Sequence, residues 1–504
     1  MQRRSFISSA MRAGVVLPFM TTDSMRAFAY PTDQLGHLSA TDQEGERILV
    51  LLRMFGGNDG LNSIIPIHDD EYYRIRRDQS ALNMSIAREA VLPIEGALGF
   101  GMHPSMYRLH ELYNEGHVAI VQGVGYPNMD LSHFRGTDIW LAASDSDVYL
   151  QSGWLGRMFD VSSPIDNGIP YAIEFGDNMS RVLKGQHQAH AHHYHATHRF
   201  TGSEDIGSLN DGLAMADEFE SRMLRSQRTG RTIDDALRRV GNHTRTYSEE
   251  SPLADALKIT SRLIRAGLPT QVYVIHAGQF DTHHRQLEVH AQQLDELFSN
   301  VHSLFRELED SGDADRVCIM PISEFGRRVE PTQSGTDHGT AAPVFVIGKH
   351  VNGGMYGDAP SISDVDVNGN LKWTTDFRQI YSTIMRQWFS MEPSSIDTGV
   401  LTRMFAPLPL FARSEILSSA ITLAPIPART TLDVIAHRDH STRSQFVISD
   451  LHGRALQSGT LDLMQRSTIT LPALASGVYV ISITEVLADG SASVHRQAFP
   501  VEQL

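Results

Sequence analysis

Five short apolar runs constrain the fold of this 504-residue chain more than any other feature. They are rich in β-branched residues and lack the alternation of apolar and polar residues that marks a strand with one wet face. Such runs are typical of strands buried on both faces of a sheet. They are Ile48 to Met54, Val118 to Gln122, Val272 to Ile275, Val317 to Ile322 and Val344 to Ile347.

Helical patterns separate these runs. The clearest places apolar residues from Leu287 to Leu308 at helical spacing, and another follows Thr374 and Thr375, which are its candidate N-caps. Strands alternating with helices predict an α/β fold: a mostly parallel sheet with helices on both faces. In such sheets, ligands bind outside the carboxyl ends of the strands.

Composition excludes several classes of protein. Hydrophobic residues make up 41% of the chain and charged residues 20%, which predicts a folded chain with a large core. The formal net charge of -16 opposes binding to nucleic acid. Cys318 is the single cysteine, so no intrachain disulfide forms, and its apolar neighbours favour a packed thiol. No stretch reaches the roughly 20 apolar residues of a transmembrane segment.

The first 29 residues carry an export signature. Arg3-Arg4-Ser5-Phe6-Ile7 precedes the mildly apolar stretch Ala13 to Met20, and Ala27-Phe28-Ala29 offers a cleavage site. This resembles a twin-arginine signal, whose pathway exports folded proteins. An ordinary N-terminal amphipathic helix is the alternative. The signature predicts a protein that is exported and then periplasmic, cell-surface or secreted, with the export machinery as a partner.

Composition also predicts the domain boundaries. The α/β domain is predicted over residues 47–411, with an insertion at about 141–251 that lies over the sheet as a cap and lacks obvious long strands. Within it, Gln186 to His198 is rich in histidine, which suits either binding of zinc, copper or nickel or a solvated loop. Residues 412–428 read as a linker.

Residues 429–504 predict a small all-β sandwich, because short apolar runs alternate there with turn residues. This part resembles the C-terminal sorting domain of type IX secretion substrates, in Ile448 to Arg454, Ile469 to Pro472 and Ala475 to Val480. The resemblance implies sorting machinery as a partner. A carbohydrate-binding or fibronectin-like sandwich is the alternative.

Polar side chains that suit a metal follow the buried runs. The candidate ligands are Asn58, Asp59, Asp281, His283, His284, Glu324, Asp337 and His338. Because the carboxyl ends of parallel strands share one edge of a sheet, we expect these side chains to lie together. Carboxylates mixed with imidazoles suit zinc, manganese or calcium, as one ion or two. The residues leave the choice between His283 and His284 open.

Ser132 lies where the second run leads into a short helical pattern. A serine there is either a helix N-cap or a nucleophile, since the unpaired donors at a helix N-terminus favour phosphate or sulfate. Arg135 and Arg327 are candidates for clamping that anion. His133 is more weakly placed, because a histidine beside a cap is often packed or solvent-facing.

Several separate motifs, in order, resemble the bacterial domain of unknown function 1501 family over about residues 47 to 405. They are Leu52 to Asn62, His103-Pro104, Val121 to Tyr126 with Ser132-His133-Phe134, Gly278 to His283, Ser323 to Arg327 and Asp337-His338-Gly339. That family is regarded as related to the alkaline phosphatase and sulfatase superfamily. The resemblance therefore implies that fold and a two-metal site.

The resemblance also implies roles for single residues. Asp59 is similar to the first-strand metal carboxylate, Ser132 to the nucleophile, Asp281 with His283 to paired ligands, and His338 to the late histidine ligand. The chain departs from the pattern at Glu324-Phe325, where phosphatases and sulfatases carry Asp-His. A second metal ion would therefore lack one imidazole ligand of the family pattern.

These observations predict a secreted, metal-dependent hydrolase of phosphate or sulfate esters with a serine nucleophile. Its substrate would be a small anionic ester or a glycan. One alternative is a catalytically inactive envelope or surface protein that binds a ligand on the same fold. Another is a metal-binding protein that acts through the histidine-rich tract.

Overall fold

The computed structural model describes residues 47–78, 83–97, 99–162, 170–176, 180–186, 191–195, 199–201, 233, 235–411, 421–424, 430–436, 444–449, 455–461, 467–475, 477–486 and 492–501. The predicted signal, residues 1–29, lies outside this part of the chain, as do several histidines of the predicted histidine-rich tract.

The strands are β1 (Ile48–Phe55), β2 (Ile64–Pro66), β3 (Leu92–Pro93), β4 (Phe100–Met102), β5 (Val118–Gly125), β6 (Ala172–Phe175), β7 (Ala191–His195), β8 (Arg199–Thr201), β9 (Val272–Gln279), β10 (Val317–Ile322), β11 (Arg327–Thr332), β12 (Gly335–His338), β13 (Ala342–Ile347), β14 (Gly354–Tyr356), β15 (Thr375–Asp376), β16 (Ile421–Ala424), β17 (Thr431–Ala436), β18 (Ser444–Ser449), β19 (Ala455–Leu461), β20 (Ser467–Thr470), β21 (Gly477–Val486) and β22 (Ala492–Val501).

The α-helices are Gly60–Ser63, Asp70–Tyr73, Tyr107–Asn114, His133–Ala142, Trp154–Ser162, Pro252–Arg265, Gln286–Ser311, Phe377–Thr383 and Pro393–Ser395. Shorter 3-10 turns lie at Arg88–Ala90, Pro104–Met106, Arg181–Leu183 and Ala314–Arg316, and π-helical turns at Arg74–Asp78, Ile384–Trp388 and Ile396–Val400.

The main sheet has the strand order β14-β5-β13-β10-β1-β9-β6-β7-β8, and β15 pairs with β5 beside this path. Strands β10, β1, β9, β6 and β7 run parallel to one another. Strand β13 is antiparallel to both β10 and β5, and β8 is antiparallel to β7. The sheet is therefore mostly parallel, as the buried runs predicted.

Helices cover both faces of this sheet. Alternate residues of β1 point to opposite faces, so Val50 and Leu52 join one core and Leu49 and Leu51 the other. The first core also contains residues of the helices Tyr107–Asn114, Pro252–Arg265 and Gln286–Ser311. The second contains residues of His133–Ala142, Trp154–Ser162 and Phe377–Thr383. The predicted α/β class is thus confirmed.

Some local predictions differ from the structure. The helix Phe377–Thr383 is capped by Asp376, whose carboxylate accepts from the backbone nitrogen of Arg378 in a capping box, so the threonine caps were wrong. Thr374 instead donates its hydroxyl to the carbonyl of Asp358 at 2.6 Å. A carboxylate one residue nearer the helix competes better for its free backbone donors.

The segment predicted as an insertion supplies β6, β7 and β8 to the main sheet. Strand β6 pairs in parallel with β9, and β7 in parallel with β6. Strands β6 and β7 were not predicted from the sequence, because strands of four and five residues show little periodicity. The boundaries at about 141 and 251 stay a prediction.

The C-terminal part is all-β, as predicted. One sheet has the order β16-β17-β20 and the other β19-β18-β21-β22, with antiparallel pairs in both. Leu432 and Ile469 from the first sheet share a core with Phe446 and Ile481 from the second. The two sheets therefore form a small sandwich, and β16 lies inside the segment predicted as a linker. A role in sorting stays a prediction.

Among the described residues, no helix is both long and apolar enough to cross a membrane.

Candidate metal centre at the carboxyl edge of the sheet

The carboxyl ends of β1, β9 and β10 meet at one edge of the sheet, because these strands are parallel neighbours. Asp281 follows β9 and Glu324 follows β10. The helix that starts at His133 and the hairpin of β11 and β12, which ends at His338, complete the site. Of the predicted ligands, Asp281, His283 and His338 come together at this edge, beside His133.

Two glycines after β1 allow this close packing. Gly56 has φ +118°, and a Cβ there would lie 2.2 Å from the backbone nitrogen of Asp281. Gly57 has φ +89°, and a Cβ there would lie 2.7 Å from the ring of Phe325. Only glycine combines this backbone conformation with such an approach, so these positions fix where Asp281 and Phe325 lie.

Three imidazoles surround the carboxylate of Asp281. His133 Nε2 lies 3.3 Å from Oδ2, while His338 Nε2 lies 3.3 Å and His283 Nε2 3.0 Å from Oδ1. His283 and His338 bring their Nε2 atoms within 3.2 Å of each other. The ligand atoms of His133, Asp281 and His338 all lie within 4.8 Å of one another. This spacing suits one metal ion bonded to each at about 2 Å.

The outer nitrogen of each imidazole faces an acceptor. Nδ1 of His133 lies 2.8 Å from Glu324 Oε1, and Nδ1 of His338 lies 2.8 Å from the carbonyl oxygen of Leu131. Nδ1 of His283 lies 3.2 Å from Asp337 Oδ1. Since carbonyl and carboxylate oxygens only accept, each outer contact is satisfied when the ring carries its proton on Nδ1. In that tautomer the Nε2 lone pair is available to a metal ion.

The groups around this centre favour the ionised form of Asp281. Burial alone would raise the pKa of Asp281, but the hydrogen bond and charge of Arg327, with His283 and His133, hold it below its ordinary value. Burial lowers the pKa of His338, and its bond to Leu131 only partly offsets this. The carboxylate of Asp281 and three imidazole nitrogens therefore converge on one small space, which suits a divalent cation.

His133 Nε2 gives a direct test of this fit. The atom is buried and has no hydrogen-bond partner among the described residues. A buried polar atom without a partner costs free energy, and native structures rarely leave one. A divalent cation would satisfy it together with Asp281 and His338. The residues present therefore fit a metal ion.

Asp59 lies apart from this cluster. It is fully buried, and Arg76 donates to its two oxygens at 2.6 and 3.1 Å, while Gln286 donates to one of them. Burial would raise the pKa of Asp59, but Arg76, with His290 and Arg327, holds it below the ordinary value. Its lone pairs serve protein donors in this structure.

Asn58 and Glu324 also serve the protein. Asn58 is fully buried, and its Oδ1 accepts from Ser63 at 3.0 Å and lies 2.9 Å from His290 Nε2. Glu324 is 4% exposed and contacts the outer side of His133 instead of the centre. Asp337 occupies the corresponding place behind His283. His284 is exposed and lies outside the cluster of ligand atoms.

The predicted catalytic residues take different positions. Ser132 is the exposed N-cap residue of the helix His133–Ala142, and its hydroxyl makes no cap hydrogen bond. Arg135 turns to the carbonyls of Asp145, Ser146 and Val148. Arg327 donates to the carbonyls of Gly57 and Thr336 and to Asp281. Their role in binding an anion stays a prediction.

Sequence reasoning underrated His133, and it identified Phe325 only as the residue that stands where the family resemblance implies an imidazole. The Phe325 ring lies 5.1 Å from that of His133 and 4.9 Å from that of His338. The available signal for His133 was its place at a helix start after a buried strand, next to Ser132. A single imidazole without a neighbouring ligand carries little weight by itself.

Comparison with solved structures finds distant likenesses. A protein in the alkaline phosphatase superfamily from Vibrio parahaemolyticus is 12% identical, with a TM-score of 0.33 and coverage of 90% of this chain and 82% of that chain. The PsFucS1 sulfatase from Pseudoalteromonas sp. is 11% identical, with a TM-score of 0.32 and coverage of 86% and 83%. The lipoteichoic acid synthase LtaP from Listeria monocytogenes is 9% identical, with a TM-score of 0.32 and coverage of 85% and 87%.

Likenesses this distant say nothing of the substrate or the metal of this chain. No curated protein matches it in sequence. The family described as "Protein of unknown function (DUF1501)" matches residues 46–389, which is more than half of the chain. The chain belongs to this family.

Proposed function

We propose that this protein is an exported, metal-dependent hydrolase of phosphate or sulfate esters, with one divalent ion held by His133, Asp281, His283 and His338. The observation that carries the proposal is the inward set of three Nε2 atoms around one carboxylate, each ring held by an outer acceptor. Metal-binding histidines commonly have such outer acceptors.

One ion, instead of the pair implied by the family resemblance, fits the surroundings. Phe325 is 1% exposed and packs against His133 and His338, where the resemblance expects an imidazole. Asp59, the expected ligand of the other ion, is neutralised by Arg76. An apolar ring and a guanidinium group therefore take the place of a second ligand and a second positive charge.

The donor set narrows the choice of ion. Three imidazoles and a carboxylate suit zinc or manganese. Calcium prefers six to eight oxygen ligands and fits less well. When bound, the ion would act as a Lewis acid toward the ester and stabilise negative charge on it.

Ser132 is our candidate for the nucleophile, because its hydroxyl is exposed beside His133 and free of a capping bond. Its oxygen would bond to phosphorus or sulfur while the bond to the ester oxygen breaks, and the departing alkoxide takes the hydroxyl proton. The oxygen of a water molecule would then bond to phosphorus or sulfur, the bond to the serine oxygen would break, and that oxygen would take a proton from the water. The N-terminus of the ten-residue helix His133–Ala142 favours the anion through its free backbone donors.

The test begins with metal analysis of the purified chain, which should give one ion per molecule. Adding metal to the stripped protein at 100 times its Kd should raise the free energy of unfolding by about 2.7 kcal/mol. 4-Nitrophenyl phosphate and 4-nitrophenyl sulfate then serve as probes. Ser132→Ala should abolish turnover and keep the metal, while the exposed Ser394→Ala should change neither. Absence of metal, or full turnover by Ser132→Ala, would contradict the proposal.

A binding protein that uses the metal without turnover is the second candidate. It is favoured by the contacts of Arg135 and Arg327. The guanidinium group of Arg135 donates to protein carbonyls, and that of Arg327 donates to protein carbonyls and to Asp281, instead of serving as anion clamps. In that case sulfate, phosphate or a sulfated glycan would bind only to the metal-loaded protein, and no ester would be hydrolysed. Calorimetry with and without metal separates the two functions.

The histidine-rich tract is a separate matter, since several of its residues lie outside the described part of the chain. Replacing the histidines of residues 186–198 with alanine should leave metal content nearly unchanged if the centre at the sheet edge dominates.

A further inference from the structure

We infer that Glu324 is a positioning residue: it holds the His133 ring so that Nε2 faces Asp281, and it does not bind the ion itself. This inference rests on the proposed metal centre. It replaces the ligand role that the sequence predicted for Glu324 with an indirect one.

The carboxylate of Glu324 lies on the outer side of the His133 ring. Glu324 Oε1 lies 2.8 Å from Nδ1 of His133, while the Nε2 atom of the same ring faces Asp281. The imidazole ring therefore separates Glu324 from the centre.

Both oxygens of Glu324 also contact other groups of the protein. Oε1 also accepts from the backbone nitrogen of Gly56 at 2.7 Å, and Oε2 lies 3.4 Å from the hydroxyl of Ser323. That hydroxyl in turn accepts from the backbone nitrogen of Asn58 at 3.0 Å. Glu324 thus ties the loop after β1 to the helix that carries His133.

The packing of the His133 ring against other rings does not fix which nitrogen faces the centre. Its faces pack near Phe55 and Phe325, each with a centroid 5.1 Å away, and near His338 at 4.2 Å. These contacts restrain tilt, but aromatic rings do not choose which nitrogen points inward. The charged acceptor at Nδ1 makes that choice and raises the basicity of Nε2.

Asp337 provides a matched control. It faces Nδ1 of His283 at 3.2 Å, but its side chain is 45% exposed, whereas that of Glu324 is 3% exposed. Water screens an exposed contact and can replace it. Loss of charge at Asp337 should therefore weaken metal binding less than the same loss at Glu324.

The experiment measures the zinc affinity of the full chain by competition with a chromophoric chelator. Glu324→Gln should lower affinity by roughly 10- to 100-fold, the range found when outer partners are removed. Asp337→Asn should cost less. The visible spectrum of the cobalt-loaded protein should change in Glu324→Gln, because the His133 ring loses its fixed orientation. Equal affinity and an unchanged spectrum in Glu324→Gln would overturn the inference.

A double-mutant cycle separates positioning from a merely structural role. In a His133→Ala background, Glu324→Gln should cause no further loss of zinc affinity, since the residue it acts through is gone. A persistent loss would mean that Glu324 acts through Gly56 and the fold, and would contradict the inference. Unfolding of the metal-free variants monitors that second role directly.

The outcomes also distinguish the two proposals. If the wild-type chain binds no zinc, manganese or cobalt, the proposed function fails and the inference fails with it. If the wild type binds metal and Glu324→Gln binds it equally well, the inference alone fails.

Discussion

Two aspartates at the same sheet edge have opposite surroundings. Asp59 belongs to a closed half, formed with Arg76, Gln286 and His290, in which protein donors take its carboxylate oxygens. Asp281 belongs to an open half, formed with His133, His283 and His338. The side chain of Asp59 is 0% exposed and that of Asp281 38%. Position after a strand therefore does not decide whether an aspartate is free to bind a metal.

The partners decide it. Both aspartates have a guanidinium partner, but Arg76 donates to both oxygens of Asp59, whereas Arg327 donates to only one oxygen of Asp281. The other oxygen of Asp281 faces Nε2 of His133. We therefore expect the closed half to contribute to stability and the open half to contribute to the proposed metal site.

The largest effect should come from breaking the closed half. Asp59→Ala leaves the fully buried Arg76 without a counter-charge, which typically costs roughly 3–5 kcal/mol. Chemical denaturation of the metal-free protein would measure this loss. The control Asp255→Ala removes the exposed partner of Lys258 and should change stability by less than about 1 kcal/mol. A small effect of Asp59→Ala on stability would show that the Asp59–Arg76 pair does not stabilise the fold, and the contrast between the two halves would be wrong.

A smaller, graded effect should come from acid. Burial lowers the pKa of His290 to about 3 and that of His103 to about 4. The unfolded chain, with ordinary histidine pKa values near 6.5, then binds more protons than the folded chain below that pH. Stability is therefore complete above about pH 6.5 and falls toward pH 5, by up to about 1.4 kcal/mol per pH unit for each histidine.

Denaturant unfolding at pH 7, 6 and 5 would measure this slope. Asp281→Asn should keep the same slope, because the pKa of Asp281 is lowered and its titration lies below this window. A flat profile between pH 6.5 and 5 would show that His103 and His290 are not neutral in the folded chain.

The smallest expected effect is a difference in zinc affinity between variants of two adjacent histidines, His283 and His284. His283→Ala removes a nitrogen that lies 3.0 Å from Asp281 and should weaken zinc binding clearly. His284→Ala removes an exposed ring and should leave zinc affinity within about twofold, since distant exposed groups couple weakly. The reverse order would mean that His284 is the ligand.

The longer strands of the main sheet could be predicted because a parallel sheet buried on both faces needs continuous apolar runs, and β1 and β10 are such runs. The edge at which Asp281 and His338 meet followed from that topology. The pairing of Asp59 with Arg76 could not be predicted, since it depends on a π-helical turn at Arg74–Asp78 that brings the guanidinium group under β1.

The acceptors at the outer nitrogens of the imidazoles could not be predicted from the sequence either. Glu324 was predicted as a ligand because residue type does not show on which side of an imidazole a carboxylate lies. The acceptor for His338 is the backbone carbonyl of Leu131, which leaves no trace in the side-chain pattern. His133 itself gave a weak signal, because its ligand neighbours are all remote in sequence.

That remoteness has a consequence for the order of folding. His133 contacts Glu324 across 191 positions, and His283 contacts His338 across 55. Contacts between such distant segments form only after long loops have closed, and long-range pairing is slow. A chain that has formed β9 but not the hairpin of β11 and β12 would hold Asp281 without His338. Tight metal binding would therefore report the last stages of assembly, and a stalled intermediate would be recognisable by its failure to hold the ion.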